Sequence, residues 1–116
     1  MDSILETVKK LLGVPGETEY FDPDIIICIN TAFSSLTQIG VGPAKGFSIV
    51  DASTRWDEFI PADSNLEMVK TYVCLKARLL FDPPQNSVLL DVLNRQLAET
   101  EWRISVEVDP GTRGED

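Results

Sequence analysis

Residues 79–87 read Leu79-Leu80-Phe81-Asp82-Pro83-Pro84-Gln85-Asn86-Ser87, and they join two helical patterns through two consecutive prolines. Proline has no backbone N–H to donate and disfavours helical angles in the residue before it, so the first helix is predicted to end at Asp82. Asn86 and Ser87 are both residue types that cap helix N-termini, and either one predicts a new helix at once. Because the joint is so short, the two helices are expected to fold back on each other.

Capping signals also delimit two helices near the N-terminus. A capping-box pattern at Ser3–Glu6 opens a short helix that ends at Gly13. Asp22 stands before Pro23, which predicts Asp22 as the N-cap and Pro23 as the first residue of a second helix. This second helix is predicted to run to about Ile39, where glycine follows.

The rest of the chain divides into an arm and two longer helices. Residues 40–63 are rich in Gly, Pro, Ser and Ala, and we interpret them as an irregular arm. The alternation in Phe47–Ile49 favours a short β-hairpin there, and a capping pattern at Thr54–Asp57 predicts one or two helical turns. A further capping box at Ser64–Glu67 opens a helix to Asp82, and the last helix is predicted from about Ser87 to Ser105. The predicted fold is therefore mainly all-α: a small bundle of about four helices with one irregular arm.

Charge and hydropathy exclude several classes of function. The 116 residues carry 19 acids and 10 bases, a formal net charge of −9, and the bases are scattered apart from Lys9-Lys10. Proteins that grip DNA place several basic residues on one face to displace counterions, so specific DNA binding is not expected. No apolar run approaches the roughly 20 residues of a membrane span, so no membrane association is expected either.

The sequence also offers little for catalysis. It contains no histidine, which is the usual general base and the commonest metal ligand, and no nucleophile or phosphate-loop motif takes its place. Acids such as Asp22 and Asp57 are explained by helix N-termini. Cys28 and Cys74 each fall within a predicted helix, which favours free thiols. We expect no enzyme activity, no catalytic residue, no cofactor and no metal site.

Three residues lie on the wrong side of their predicted helices. At 100° per residue, Ile27 falls outside the apolar arc of its helix, and Trp102 projects away from the leucines of the last helix. Lys76 lies in the middle of an apolar arc, where a lone ammonium needs a partner or a route to water. Packing within one chain could cover each residue, since isolated exposed apolar residues are common. Together they favour a second face buried against copies of the same chain, with Trp102 as an anchor.

Four landmarks, in this order, resemble the small head-tail connector (adaptor) proteins of tailed bacteriophages and prophages. They are Gln38-Ile39-Gly40-Val41-Gly42-Pro43, Gly46-Phe47-Ser48-Ile49, the joint at 79–87 and Glu101-Trp102-Arg103-Ile104. The resemblance covers about Ser3 to Val106, nearly the whole chain. It implies one helical connector domain at 1–106, with the arm at 40–63, followed by a flexible acidic C-terminal tail at 107–116.

The resemblance further implies a structural role in the virion. Such connectors form a ring below the portal, continue the DNA channel and offer a lower surface to a stopper or tail-completion protein. For this chain it implies a homo-oligomeric ring, about twelve-fold on the portal, at the head-tail junction after assembly in the bacterial cytoplasm. DNA would pass without specific binding. The expected subunit-interface residues are Ile27, Lys76, Trp102, Phe47 and Trp56. Those expected to dock on the portal are Glu107, Val108 and Asp109.

Other classes of function remain open at this point. The main alternative is a monomeric or dimeric helical adaptor or regulator that binds a phage or host protein through Trp102 and Ile27. A nucleic-acid-binding packaging subunit is disfavoured because no basic face is apparent. An enzyme is disfavoured by the missing catalytic residue types.

Overall fold

The computed structural model describes residues 3–43, 45–60 and 64–108. Four α-helices account for most of these residues, and a short 3₁₀ turn at Trp56–Glu58 lies within the arm. The helices are α1 (Ile4–Leu12), α2 (Asp22–Gln38), α3 (Ser64–Phe81) and α4 (Ser87–Val108). The predicted mainly all-α fold of four helices with an irregular arm is confirmed.

Helix α3 is the centre of the bundle. It packs against α2 and against α4, and α1 packs across both α2 and α3. The core lies between α1, α2, α3 and the arm, where these buried side chains meet: Ile4, Leu5, Val8, Ile25, Ile29, Phe33, Leu36, Ile49, Trp56, Phe59, Val69, Tyr72, Val73 and Ala77. From α4, Ile104 is buried in this core and Leu97 packs against it.

The predicted helix boundaries are largely confirmed by the caps. Ser3 Oγ accepts a hydrogen bond from the Glu6 amide at 3.3 Å, and Gly13 ends α1 in the left-handed conformation, φ +80°. The two prolines do separate α3 from α4, and Asn86 Oδ1 caps α4 by accepting from the amides of Val88 and Leu89 at 2.8 and 3.2 Å. Helix α4 runs to Val108, three residues beyond the predicted end at Ser105.

The start of α2 differs from the prediction. Asp22 is the first helical residue and not the N-cap; the capping position is Phe21, whose side chain makes no cap bond. The Asp22 carboxylate instead forms an ion pair with Lys9, whose ammonium lies 2.8 Å away and is almost completely buried. A buried ammonium needs a counter-charge more than an exposed helix end needs a cap, because water can satisfy the helix end.

The predicted β-hairpin is wrong for the described part of the arm. No strand forms within 41–43 or 45–60, and a single antiparallel bridge joins Arg55 to Ser3 beside α1. The alternation of buried and exposed side chains that the sequence predicted is present at Ser48, which is exposed, and Ile49, which is buried. However, Asn30 of α2 takes the place of a pairing strand: its Oδ1 accepts from the Ile49 amide at 2.8 Å, and its Nδ2 donates to the Ile49 carbonyl at 3.0 Å.

The arm is folded onto the bundle by aromatic packing. The rings of Phe47 and Phe59 lie 5.1 and 4.5 Å from the Phe33 ring, and Trp56 is fully buried with its indole N–H donating to Thr7 Oγ1 at 3.1 Å. The turn predicted at Thr54–Asp57 is present, but Arg55 precedes it, and the Arg55 amide donates to Glu58 Oε2. Gly42 has φ +85°, and a Cβ there would overlap the Phe59 ring.

Candidate functional site

The surface carries exposed apolar groups on two separate flanks. Val69, Val73 and Ala77 of α3 lie in the core beside α2, whereas Met68 and Leu75 line a groove against α4. These two sets point to different faces of α3, and α2 and α4 each pack on α3. We call the outward faces of α2 and α4 the two flanks of the molecule.

The first flank carries an apolar surface that we call the α2 patch: Tyr20, Phe21, Ile27 and Leu80. Ile27 is 64% exposed, as its position outside the apolar arc predicted. The rings of Tyr20 and Phe21 pack edge to face at 5.0 Å, and Phe21 packs on Phe81 at 5.7 Å. A shallow groove at this patch is lined by Phe21, Asp24, Ile27, Cys28, Leu80 and Phe81.

The loop that carries Tyr20 and Phe21 is held by Lys9. Besides its ion pair with Asp22, the Lys9 ammonium donates to the carbonyls of Gly16 and Thr18 at 3.1 and 2.7 Å. The aromatic residues that follow are thus fixed before any partner binds. This role is not apparent from the sequence, because a basic pair near the end of a helix is usually a solvated surface feature.

The second flank is the outward face of α4. Trp102 is 66% exposed there, which confirms the prediction that it projects away from the leucines. Val88, Val92 and Val106 are exposed on the same helix, at 71%, 41% and 42%. The three valines were not predicted as part of this surface, although their spacing from Trp102 along the helix places them on the same face.

The other predicted interface residues are more enclosed. Lys76 is partly buried on α3, and no salt bridge to it occurs within 3–43, 45–60 and 64–108. Phe47 is partly buried between Phe33 and Phe59. Trp56 has no exposed surface, so in this conformation it cannot contact a second subunit. The structure packs both Phe47 and Trp56 against Phe33 and leaves Ile27 and Trp102 exposed on two different helices.

The residues predicted to dock on the portal lie at the end of the described chain. Glu107 and Val108 form the last positions of α4, and Asp109 lies outside the described residues together with the predicted tail to residue 116.

Exposed acids are distributed over the described surface without a matching basic face. Glu17, Glu19 and Asp24 surround the α2 patch, and the arm exposes Asp51, Asp57 and Glu58. On α4, Arg95 pairs with Asp91 and Arg103 pairs with Glu99 at 2.6 and 2.8 Å. These two bases are already neutralised by their neighbours, so they do not form a strip for binding phosphates.

The two cysteines are buried free thiols, as predicted. Burial raises the pKa of Cys74 to about 11, and burial followed by the nearby Asp24 raises the pKa of Cys28. Both are therefore weak nucleophiles at neutral pH. Within the part of the chain that the structure describes, no cluster of three or more metal-ligating side chains is found.

None of the helices traced here is long and apolar enough to cross a membrane. The family described as phage connector protein matches residues 4–111, almost the entire chain. The chain belongs to the phage connector protein family. A search of curated proteins and a search of solved structures each find no match. This connector is thus a helical structural protein of bacteriophage, and the resemblance to head-tail connectors seen in its sequence is confirmed.

Proposed function

We propose that this connector forms a homo-oligomeric ring below the portal, joins the phage head to the tail and continues the DNA channel. The observation that carries the proposal is the presence of two different exposed apolar surfaces, the α2 patch and the outward face of α4. A closed ring needs a heterologous contact, in which one surface of each subunit meets a different surface of the next. Single exposed apolar residues are common, but two apolar surfaces on one small subunit are typical of interaction sites.

The chemistry of the two flanks supports a direct contact between them. The groove of the α2 patch is apolar along Phe21 and Ile27, and its rim carries the Asp24 carboxylate. Trp102 offers a large apolar ring with one N–H donor, and Arg103 stands beside it. In our proposal the indole of one subunit fills the groove of the next, with Asp24 as acceptor and counter-charge.

The remaining predicted positions have secondary roles in this proposal. Lys76 is partly buried on α3 and has no salt bridge among the described residues, so a carboxylate from a neighbour could pair with it. The end of α4, with Glu107, Val108 and Asp109, docks on the portal, and the opposite end of the ring receives a stopper or tail-completion protein. The exposed tip of the arm at Val50-Asp51, and not the buried Trp56, is its part available to a neighbour or to the lumen.

The charge of the chain suits a passage for DNA. About twelve copies at −9 each would carry about −108, and acids within the ~8 Å screening length of the lumen would repel phosphates. DNA would then slide through the ring without specific binding. The proposed location is the head-tail junction of the virion, after assembly in the bacterial cytoplasm.

Co-assembly with the portal of the same phage tests this function. We expect ring-shaped particles on the portal in negative-stain images, and we expect Trp102→Ala and Ile27→Asp each to abolish them. Leu11→Ala is the matched control, because Leu11 is 59% exposed on α1 and lies on neither flank nor in the arm. Rings that persist in both flank variants would disprove the proposed contact. Binding of a single copy to the portal would disprove the ring.

A further inference from the structure

Six exposed positions on the outward face of α4 follow a heptad pattern. They are separated alternately by four and three residues, which is the spacing of the contact positions in a two-helix coiled coil. The positions are Val88, Val92, Arg95, Glu99, Trp102 and Val106. We call this set the α4 seam.

No residue that the structure describes covers the α4 seam. Its apolar members are 41–71% exposed, and the side chains of Arg95 and Glu99 are 78% and 60% exposed. The positions that α4 turns toward its own bundle are different ones, among them Leu97 and Ile104. A helix with one stripe on its own core and a second heptad stripe facing outward has a second packing surface.

The residues of the α4 seam are complementary to those of a second α4 that runs in the opposite direction. If a second α4 lies antiparallel, Val88 meets Val106, Val92 meets Trp102, and Arg95 meets Glu99 of the second copy. Every contact is then apolar on apolar or base on acid. A parallel, in-register pair would place Arg95 on Arg95 and Glu99 on Glu99, which is repulsive.

We propose that two copies of this chain pair through an antiparallel coiled coil of their α4 seams. A two-fold axis would pass near Ala98, an exposed small residue that allows close approach of the two helices. The contact is isologous, since each subunit uses the same surface, and it differs in kind from the heterologous contact of a ring.

The size of the seam indicates a weak dimer. One pair of helices with four apolar residues each buries on the order of 1,000 Å², which is the range of transient interfaces. Arg95 and Glu99 already pair within the helix with Asp91 and Arg103, so their contribution across the dimer is mainly to fix orientation. We expect dissociation in the micromolar range, so that the subunit is monomeric when dilute.

The dimer has a consequence that rests on the proposed ring. Trp102 belongs to both contacts, so one subunit cannot make them together. Free connector subunits would be stored as dimers, and the portal would have to compete for the seam before a ring grows.

Sedimentation equilibrium of the full chain at 5–200 μM, on the order of the expected affinity, tests the dimer. We expect a monomer–dimer equilibrium that Trp102→Ala weakens at least about tenfold, whereas the α2-patch variant Ile27→Asp and the control Leu11→Ala leave it unchanged. A wild-type protein that stays monomeric throughout, or a dimer lost in Ile27→Asp but kept in Trp102→Ala, would overturn the proposal. Since Ile27→Asp affects only the ring, failure of the dimer and failure of the ring are separable.

Charge reversal gives a sharper test. Arg95→Glu alone and Glu99→Arg alone each place like charges across the seam, so we expect both to be monomeric. Mixed in equal amounts, the two variants restore both base–acid pairs, and we expect a heterodimer. Circular dichroism of each variant verifies that the helices remain folded. A mixture that stays monomeric while both variants are folded would contradict the pairing.

Cysteine cross-linking tests the orientation, with the two native thiols buried. Ala98→Cys near the axis should form a disulfide-linked dimer under mild oxidation. Positions 91 and 105 lie along the same side of the α4 seam, near its two ends. In an antiparallel dimer, residue 91 of one copy is close to residue 105 of the other. Asp91→Cys alone and Ser105→Cys alone should therefore not cross-link, whereas a mixture of the two variants should form a disulfide-linked dimer. Rapid cross-linking of Asp91→Cys with itself would indicate a parallel pair and would overturn the antiparallel arrangement.

Discussion

The arm is irregular but contributes several buried side chains, whereas helix α4 is regular but largely exposed. The arm has no strand among its described residues and only a single 3₁₀ turn, yet it buries Val41, Ile49, Trp56 and Phe59. Helix α4 is the longest regular element, and among its described side chains only Ile104 is buried. The irregular segment therefore stabilises the subunit, while the regular helix mostly presents surface.

This contrast follows from how backbone groups are satisfied. A helix satisfies its own amides and carbonyls and can stand on the surface with little burial, provided that its caps are good. An irregular segment has to find external partners, and here Asn30 and the start of α1 supply them. Secondary structure is thus a poor guide to which part of this connector holds the monomer together.

The two tryptophans provide the strongest test of the contrast. Trp56 is fully buried, so Trp56→Ala should lower the free energy of unfolding by about 3–5 kcal/mol, as expected for an aromatic truncated in a core. Trp102→Ala should change it by less than about 0.5 kcal/mol in dilute monomer. Urea denaturation followed by circular dichroism measures both. Similar losses of unfolding free energy in the two variants would contradict the conclusion that the arm stabilises the monomer more than α4 does.

Two arm glycines test how closely the arm packs. Gly42 and Gly46 both have positive φ, but only Gly42 lies against Phe59. Gly42→Ala should therefore cost about 2–4 kcal/mol, from backbone strain plus steric overlap, and Gly46→Ala about 1–2 kcal/mol from strain alone. The same denaturation assay compares them. Equal effects would mean that the Gly42 contact with the ring relaxes freely.

The pH dependence of stability tests the interior of α3, the helix that supports α4. The pKa of Cys74 is raised by burial to about 11, so above pH 9 the unfolded chain loses the thiol proton more readily than the folded one. Stability should be constant in pH below about 8 and fall by about 1–2 kcal/mol by pH 10 from this thiol. The dependence should be shallower in Cys74→Ala. An unchanged slope in that variant would show that Cys74 is accessible to water.

The smallest effect is expected from the ion pairs on the surface of α4. Arg103→Gln removes the pair with Glu99, whose side chains are both more than half exposed. The loss of monomer stability should be at most about 0.5 kcal/mol and should disappear at 1 M salt. Thermal unfolding with and without salt measures it. A larger loss would mean that α4 contributes more to the monomer than its burial indicates.

The sequence predicted those parts of the fold that depend on local signals. Ser3, Gly13 and Asn86 occupy their predicted caps, and the prolines after Asp82 end α3, because capping and proline geometry involve neighbours in sequence. Exposure of Ile27 and Trp102 was also predictable, since helical periodicity fixes the direction of a side chain.

Features that depend on distant partners were not predictable. Asp22 is paired with Lys9, thirteen positions away, and its role as an N-cap was a reasonable but wrong prediction. The strand pattern at Ile49 was satisfied by the side chain of Asn30. Trp56 was expected at an interface, because periodicity gives no direction for residues in an irregular segment.

The α2 patch shows the same limit for the site. It combines the start of α2 with the end of α3, and the sequence separates Phe21 from Leu80 by most of the bundle. Only the folded chain brings them together. The α4 seam, in contrast, lies within one helix, and its spacing was present in the sequence throughout.

The buried ammonium of Lys9 donates to two carbonyl oxygens and forms an ion pair with one carboxylate oxygen 2.8 Å away. Its positive charge is therefore compensated inside the protein. Arginine has a planar guanidinium with five N–H donors, and some of these would lack an acceptor at this position. A shorter or neutral side chain would leave the two carbonyls and the carboxylate without their buried partner. This position should tolerate no other residue, and an acylating reagent should modify Lys10 while leaving its neighbour untouched.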